Sequence, residues 1–454
     1  MKRLRRWLRA LLKPRTDERE ALNREQWERL PERLRTPQQA SGRAYVGCGA
    51  THGVMERCNF SCTSCYLSDV ANTLPPLPFD EVREQLETLR RHLGPAGKAQ
   101  VTAGEVTLLP LDELGRIVSH ARDIGLDPMV MSHGARFEDE PEYLESLVRD
   151  HGLEKVSIHV DSTQRGRRGH SPGATEKELN AVRDRMAALI RRVRRTTGRR
   201  LHAAQTVTVV PENVVEVPDI MRWCVANADA FRMISFQPVA EVGRTRDRRS
   251  GTTLDDVWER ICDGLGRRVH RSPLLFGHPD CNVVCPVIVV DLGDRREIVE
   301  SVREGDAWDL AVVRRLLEHG GGIRQVGATW TERVLRRVGV VLRNPGVLAW
   351  GLPYALYRLW GERRWLPAAL GRLLTLRPVR VRPLAIIVHA FMDAEELATS
   401  LGQERLAACT FKVAVDGEMV SMCEVNASGL RRELNLAQRE RLVPERAAEA
   451  GASR

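Results

Sequence analysis

In "CNFSCTSCYL" (58–67), three cysteines, Cys58, Cys62 and Cys65, stand four and three residues apart. Thiolates are soft ligands, and three of them can hold three irons of a cubane cluster while the fourth iron stays free for an outside ligand. A closed structural zinc site wants a fourth Cys or His, and Cys48 and His52 are near enough in sequence to supply one. Four further cysteines come in pairs, Cys281 and Cys285 in "HPDCNVVC" and Cys409 and Cys423 on either side of a "DG" hairpin turn. These fit a second, closed iron–sulfur site, a structural zinc, or unrelated buried thiols, since spacing alone does not separate the three. Cys224 and Cys262 fall within helical patterns and read as core packing.

The elements that must position the first three thiols alternate between strand-like and helix-like segments over residues 45–245. Strands are expected at 51–58, 98–104, 127–134, 154–161, 201–210 and 231–239, with amphipathic helices at 79–93, 111–125, 141–152 and 176–198. Six β/α repeats imply an α/β fold, a parallel sheet curling into a partial (β/α)6 TIM-like barrel. Right-handed crossovers place the strand C-termini on one rim, where functional residues gather. The three-cysteine stretch falls on that rim.

In this setting "CNFSCTSC" resembles the CxxxCxxC motif of the radical S-adenosylmethionine (SAM) enzymes. "TAGEVTLLP" (102–110) resembles their GGEP segment, and "VSIHVDS" (156–162) and "ISFQPVAEVGR" (234–244) resemble other rim segments. The resemblance covers about residues 51–245 and departs from the family at Ser64, Ala103 and Val106. It implies a [4Fe-4S] cluster on Cys58, Cys62 and Cys65, and SAM contacts from Tyr66, Ala103, Gly104, Glu105, Ser132, Asp161 and Gln237. It also implies reductive cleavage of SAM to a 5′-deoxyadenosyl radical, fed by an electron donor such as a ferredoxin or flavodoxin. Further on, "HPDC", "HAFMDAEE" and "CTFKVAVDGEMVSMCEVNA" are similar to a branch that includes the archaeal tetraether lipid synthases and was earlier grouped with methylases. That branch implies an auxiliary Fe–S cluster on Cys281, Cys285, Cys409 and Cys423. The cysteine-rich N-terminal iron site of those synthases has no counterpart here beyond Cys48.

Composition sets the remaining bounds. The chain has 454 residues, 43% hydrophobic and 29% charged, with ten cysteines, too sparse for a disulfide scaffold. No run reaches the length of a membrane span. The opening "MKRLRRWLRALLKPR" lacks the apolar core and cleavage site of a signal peptide, so a reducing, cytoplasmic setting is expected. Its Leu4, Trp7, Leu8, Leu11 and Leu12 share one helical face against a cationic remainder, the pattern of a helix lying on an anionic membrane; a solvated arm or a docked helix gives the same pattern. Residues 330–374 mix Trp330, Trp350, Trp360, Trp365, Tyr354 and Tyr357 with Arg and aliphatics, as bilayer interfaces do. A helical subdomain packing its aromatics inward, or the wall of an apolar tunnel, would use the same residues.

The net charge of +10 comes without any nucleic-acid module, so no nucleic-acid partner is expected. The expected organisation is a basic helix and linker (1–44), the SAM core (45–245) and a linker with the first half of the auxiliary region (246–324). A helical aromatic and basic insertion (325–383), the second half of the auxiliary region (384–430) and a tail (431–454) follow. Three functions fit: chemistry on a lipid alkyl chain, chemistry on a peptide or soluble small molecule, and a non-catalytic metal-binding scaffold. The first 45 residues are too short for a cobalamin domain.

Overall fold

The computed structural model describes residues 17–245, 251–271, 273–319 and 334–443, except positions 336, 337, 340, 343, 345 and 362. The basic N-terminal helix expected over residues 2–13 and the end of the tail lie outside the described residues.

Eleven strands form one sheet. They are β1 (Cys48–Ala50), β2 (Lys98–Val101), β3 (Asp127–Ser132), β4 (Lys155–His159), β5 (His202–Val209), β6 (Phe231–Pro238), β7 (Asn282–Asp291), β8 (Arg296–Glu300), β9 (Arg380–His389), β10 (Phe411–Val415) and β11 (Glu418–Ser421). Their order is β11-β10-β1-β2-β3-β4-β5-β6-β9-β7-β8. The strands from β10 to β9 in that order run parallel, and β11, β7 and β8 add antiparallel edges. The expected partial barrel is present and the sheet stays open. Beyond the six expected repeats, β10 extends it at one end and β9, β7 and β8 at the other. The auxiliary region therefore shares the core's sheet.

The outer layer follows from the periodicity of the helices. Helix Phe79–Leu93 buries Val82, Leu86, Leu89 and Leu93, a four-three-four spacing that lays one stripe against the sheet. Helix Glu176–Thr197 begins in a reciprocal capping box between Thr175 and Glu178 and stops at left-handed Gly198. The strands between alternate: one set of side chains, such as Val101, Val130, Val156 and Ile234, is buried under the helices, and the other, such as Gln100, Ser157, Thr206 and Gln237, faces the barrel interior.

Two expectations need correction. The strand expected over 51–58 lies upstream, at Cys48–Ala50, and 51–58 is a loop. Left-handed Gly53 turns the chain there, and its N–H is taken by the Glu56 side chain at 2.9 Å rather than by a neighbouring strand. The start of the expected tail is instead helix Leu430–Leu442, which packs onto that loop. The expected "DG" hairpin is present: Asp416 and Gly417 both have positive φ between β10 and β11.

Candidate active site on the barrel rim

The loop after β1 carries Cys58, Cys62 and Cys65 to the C-terminal rim, where all three line a cavity of about 220 Å³. Two close backbone approaches hold this loop. A side chain on left-handed Gly104 would sit 2.1 Å from the Met55 carbonyl oxygen, and one on Gly243 would sit 2.4 Å from the Tyr66 carbonyl. Glycine at both positions lets the segments after β2 and β6 press against the cysteine loop.

Hydrogen bonds to sulfur separate ligand-like thiols from packed ones. Phe60 N donates to Cys58 Sγ at 3.4 Å, and Arg244 Nη2 donates to Cys65 Sγ at 3.3 Å. Donors aimed at sulfur suit thiolates bound to metal. Burial raises the Cys58 thiol to about 11 and lifts Cys62 well above the ordinary range, so without a metal these thiols stay protonated. Burial alone would lower the Arg244 guanidinium, but the cysteines beside it raise it overall. The donor set therefore fits a cluster bound through three cysteines.

Tyr66, Gly104, Glu105, Ser132 and Gln237 line the same cavity, as the sequence suggests. The Glu105 carboxylate is fixed by Ser132 Oγ at 2.8 Å, His133 N at 2.9 Å and Thr107 N at 3.2 Å. Tyr66 Oη pairs with Thr102 Oγ1 at 3.2 Å, and Arg431 stacks over its ring. Ala103 and Asp161 do not reach the cavity. Asp161 stands behind the wall, accepting from Thr163 N at 2.9 Å, Thr208 N at 2.7 Å and His159 Nε2 at 2.5 Å. It is His159 that faces the cavity. Burial alone would raise the Asp161 carboxyl, but His159 and these donors bring it down to about 2. His159 goes up overall, because Asp161 outweighs its burial.

The sequence reading missed Arg244 and Thr245, although "VGR" was visible in the segment after β6. Arg244 N donates to the Cys65 carbonyl at 2.8 Å, and Cys65 N donates to Thr245 Oγ1 at 3.1 Å. It also missed the clamp from helix Leu430–Leu442. Arg431 pairs with buried Glu56, Ser68 Oγ donates to Asn435 Oδ1 at 2.6 Å, and Gln438 Nε2 donates to the Pro75 carbonyl at 3.0 Å.

The second cysteine set divides. Cys281, Cys409 and Cys423 line one further cavity, and Cys48 lines it too. Their sulfurs accept from Arg405 Nε at 3.4 Å, Ser421 Oγ at 3.2 Å and Met392 N at 3.5 Å respectively, and Cys409 Sγ also donates to the Phe411 carbonyl at 3.0 Å. Cys285 is not with them. It lies inside β7 on the opposite face, near Cys262, and its Sγ donates to the His270 carbonyl at 3.5 Å. Burial takes the Cys285 thiol to about 12, as it does Cys423, and it is its place on the other face of β7 that separates it from the set. Among the described residues, no three Cys, His, Asp or Glu side chains already stand around one point as metal ligands.

Residues 53–224 match the model of the radical SAM superfamily, and the chain carries a radical SAM domain. Members of that family hold a [4Fe-4S] cluster and SAM. The chain is 25% identical over 202 residues, 43% of its length, to the 7,8-dihydro-6-hydroxymethylpterin dimethyltransferase of Methanocaldococcus jannaschii. That match spans 37% of the relative's own length. Similar solved structures include a polyhistidine-tagged anSMEcpe with bound AdoMet, at 12% identity and a TM-score of 0.35, covering 48% of this chain and 58% of that one. Native anSMEcpe with AdoMet and a bound peptide is also similar, at 9% identity and a TM-score of 0.34, with the same coverage.

Proposed function

We propose that the protein is a radical SAM enzyme that removes hydrogen from an unactivated carbon of a membrane-lipid alkyl chain, leading to C–C bond formation or a related modification. When bound, the cluster and SAM supply a 5′-deoxyadenosyl radical, chemistry beyond any side chain. The chain's own residues bind and orient. Cys58, Cys62 and Cys65 hold the cluster, Arg244 places positive charge at Cys65, and the Gly104 backbone with Glu105, Ser132 and Gln237 offers polar partners to SAM. Phe391 and Met392 wall the cavity on the substrate side and exclude water. An auxiliary cluster on Cys281, Cys285, Cys409 and Cys423 is not part of this reading, because Cys285 lies on the other face of β7.

The lipid reading rests on one observation, an inverted helix. Helix Gly346–Gly361 turns Tyr354 and Arg358 inward onto Asp309 at 2.9 and 2.8 Å, and Tyr357, at the exposed edge, donates to Asp306 at 2.6 Å. Leu352, Leu356, Leu359 and Trp360 face outward, with Trp360 71% exposed. Leu370, Leu373 and Leu374 in the next helix, Leu366–Leu374, and Leu376 just after it are exposed as well, Leu376 by 93%. An exposed apolar patch of this kind on an otherwise polar surface marks an interaction site, and the arginines around it suit an anionic bilayer. No described helix is long and apolar enough to cross a membrane, which fits peripheral contact.

A soluble small-molecule substrate is the second reading, favoured by the name of the Methanocaldococcus relative. The test is anaerobic reconstitution, then dithionite and SAM, with dispersed lipid or a reduced pterin as substrate. Lipid-dependent 5′-deoxyadenosine, lost in Cys62→Ala, is the expected result. Pterin-dependent turnover with lipid inert would establish the second reading, and turnover by Cys62→Ala would remove the cluster assignment.

A further inference from the structure

The rim cavity does not end at the rim. Gln100, Phe391, Phe411, Met422 and Cys423 line both it and the second cavity, which occupies the barrel lumen with about 360 Å³. Small or pliable side chains keep the lumen open, among them Met129, Ala204, Met233 and Ala385.

The far end of the lumen is polar in a particular way. Lys98, Asp127, Lys155 and His202 are the first residues of β2, β3, β4 and β5, and Arg232 is the second of β6. All five line the lumen. Parallel pairing puts Lys98 beside Asp127 and Lys155 beside His202, on one level at the barrel floor, opposite the rim cysteines. Lys155 pairs with Asp127. Lys98 lies 5.2 Å from the Tyr45 ring centroid, and among the described residues neither it nor Arg232 has a carboxylate in ion-pair reach. Asp127 Oδ1 and His202 Nδ1 have no hydrogen-bond partner, although Asp127 is only 2% exposed. Burial, then Arg232, Arg194, Lys155 and Arg200, lower His202 to about 4, so it adds no charge at neutral pH. Three cations thus face one carboxylate at the bottom of an apolar channel. Lys98 and Arg232 are exposed while Asp127 is buried, so two cations stand open at the floor for an anion to meet.

We propose that the barrel floor binds the oxyanion head, phosphate or carboxylate, of a single-chain amphiphile whose alkyl chain runs up the lumen toward the rim. This deepens the lipid reading and rests on it. It also sets the reacting carbon at a distance from the head. Strands of four to eight residues at about 3.3 Å per residue make the lumen roughly 15–25 Å long.

Calorimetry on the full-length protein without SAM tests the site, using dodecyl phosphate below its micellar range, dodecanol and inorganic phosphate. Dodecyl phosphate should bind at least about tenfold more tightly than either single-feature probe, since a charge-assisted contact and a buried chain act together. Lys98→Met should remove about tenfold of that affinity with dodecanol binding unchanged, and Arg232→Met gives a second reading should the first variant fold poorly. Ala204→Phe should abolish chain-dependent binding and leave inorganic phosphate as it was. Equal affinity for dodecyl phosphate and inorganic phosphate would reduce the floor to an ion site and overturn the proposal. Unchanged affinity in folded Lys98→Met would overturn it too, leaving the cations as partners of the thiol wall. A negative result here leaves SAM cleavage untouched, and a failure of SAM cleavage leaves this binding standing.

Discussion

At the scale of residues, the site is organised by what each polar group already touches. Arg244 carries the only guanidinium among the described residues that donates to a sulfur of the rim cysteines. A donor and a positive charge at a ligand sulfur favour the reduced, more negative cluster, so they raise its potential. Arg244→Ala should lower the midpoint of the reconstituted cluster by tens of millivolts, on the order of one charge-assisted hydrogen bond, and Arg244→Lys by less. Potentiometry followed by EPR reads this directly, and an unmoved midpoint would show that Arg244 only packs. The His159–Asp161 pair gives a pH signature. Asp161, held at about 2, adds stability that is complete above its unfolded value of roughly 4 and lost as pH falls toward 2. His159 is raised, so its share is present below roughly 6.5 and lost as pH climbs through its higher folded value. Wild type should therefore melt at a higher temperature near pH 5 than near pH 8, relative to His159→Gln, whose profile should be flatter over that range. Parallel profiles for the two proteins would exclude this coupling.

At the scale of elements, helix Leu430–Leu442 carries more than its sequence suggests. Arg431 and Glu56 are 4% and 0% exposed in their side chains, and the same guanidinium covers Tyr66. Arg431→Ala strands the Glu56 carboxylate, and removing one partner of a buried pair costs roughly 3–5 kcal/mol. Chemical denaturation should show that loss, and iron should leave the variant faster, since Tyr66 adjoins Cys65. A loss below about 1 kcal/mol would mean that the pair behaves as a surface one. This clamp was illegible because "LRRELNLAQRERL" buries the polar Arg431, Asn435 and Gln438 beside a short apolar stripe of Leu430 and Leu434, and polar side chains at those positions read as solvent-facing. The opposite holds for β2 to β6 and helix Phe79–Leu93, whose alternation and periodicity survive into the structure. Strand β1 escaped because three residues, Cys48–Ala50, hold no pattern, whereas the loop at 51–58 mimics one. The misplaced Cys285 has a similar cause. Cys281 precedes β7 while Cys285 lies within it, so four residues of spacing do not keep them on one face. Thiol spacing shows that sulfur chemistry is present, but the face each thiol takes depends on where its strand begins.

At the scale of the whole molecule, the rim cavity, the lumen and the inverted helix pose one question: how an apolar substrate would reach enclosed chemistry. The inverted helix is anchored by charge rather than by apolar burial. Asp309, almost wholly buried, accepts from Arg303, Tyr354 and Arg358, and their donation outweighs burial and lowers its carboxyl. That leaves the leucines free to meet an acyl layer without weakening the attachment of the helix. Each buried methylene contributes about 0.8 kcal/mol, so a few leucines with neighbouring arginines suffice for reversible binding. Wild-type protein should float with anionic liposomes at low salt and partly release at high salt. Leu352→Ser/Leu356→Ser/Trp360→Ser should cut flotation at least about tenfold at either salt, because the apolar term is unscreened. Deleting residues 2–15 should weaken mainly the salt-sensitive part, while SAM cleavage with detergent-dispersed substrate is kept. Flotation that survives the triple substitution would move membrane contact off this helix. Loss of SAM cleavage in that variant, with its cluster intact, would instead tie the helix to the chemistry on the rim.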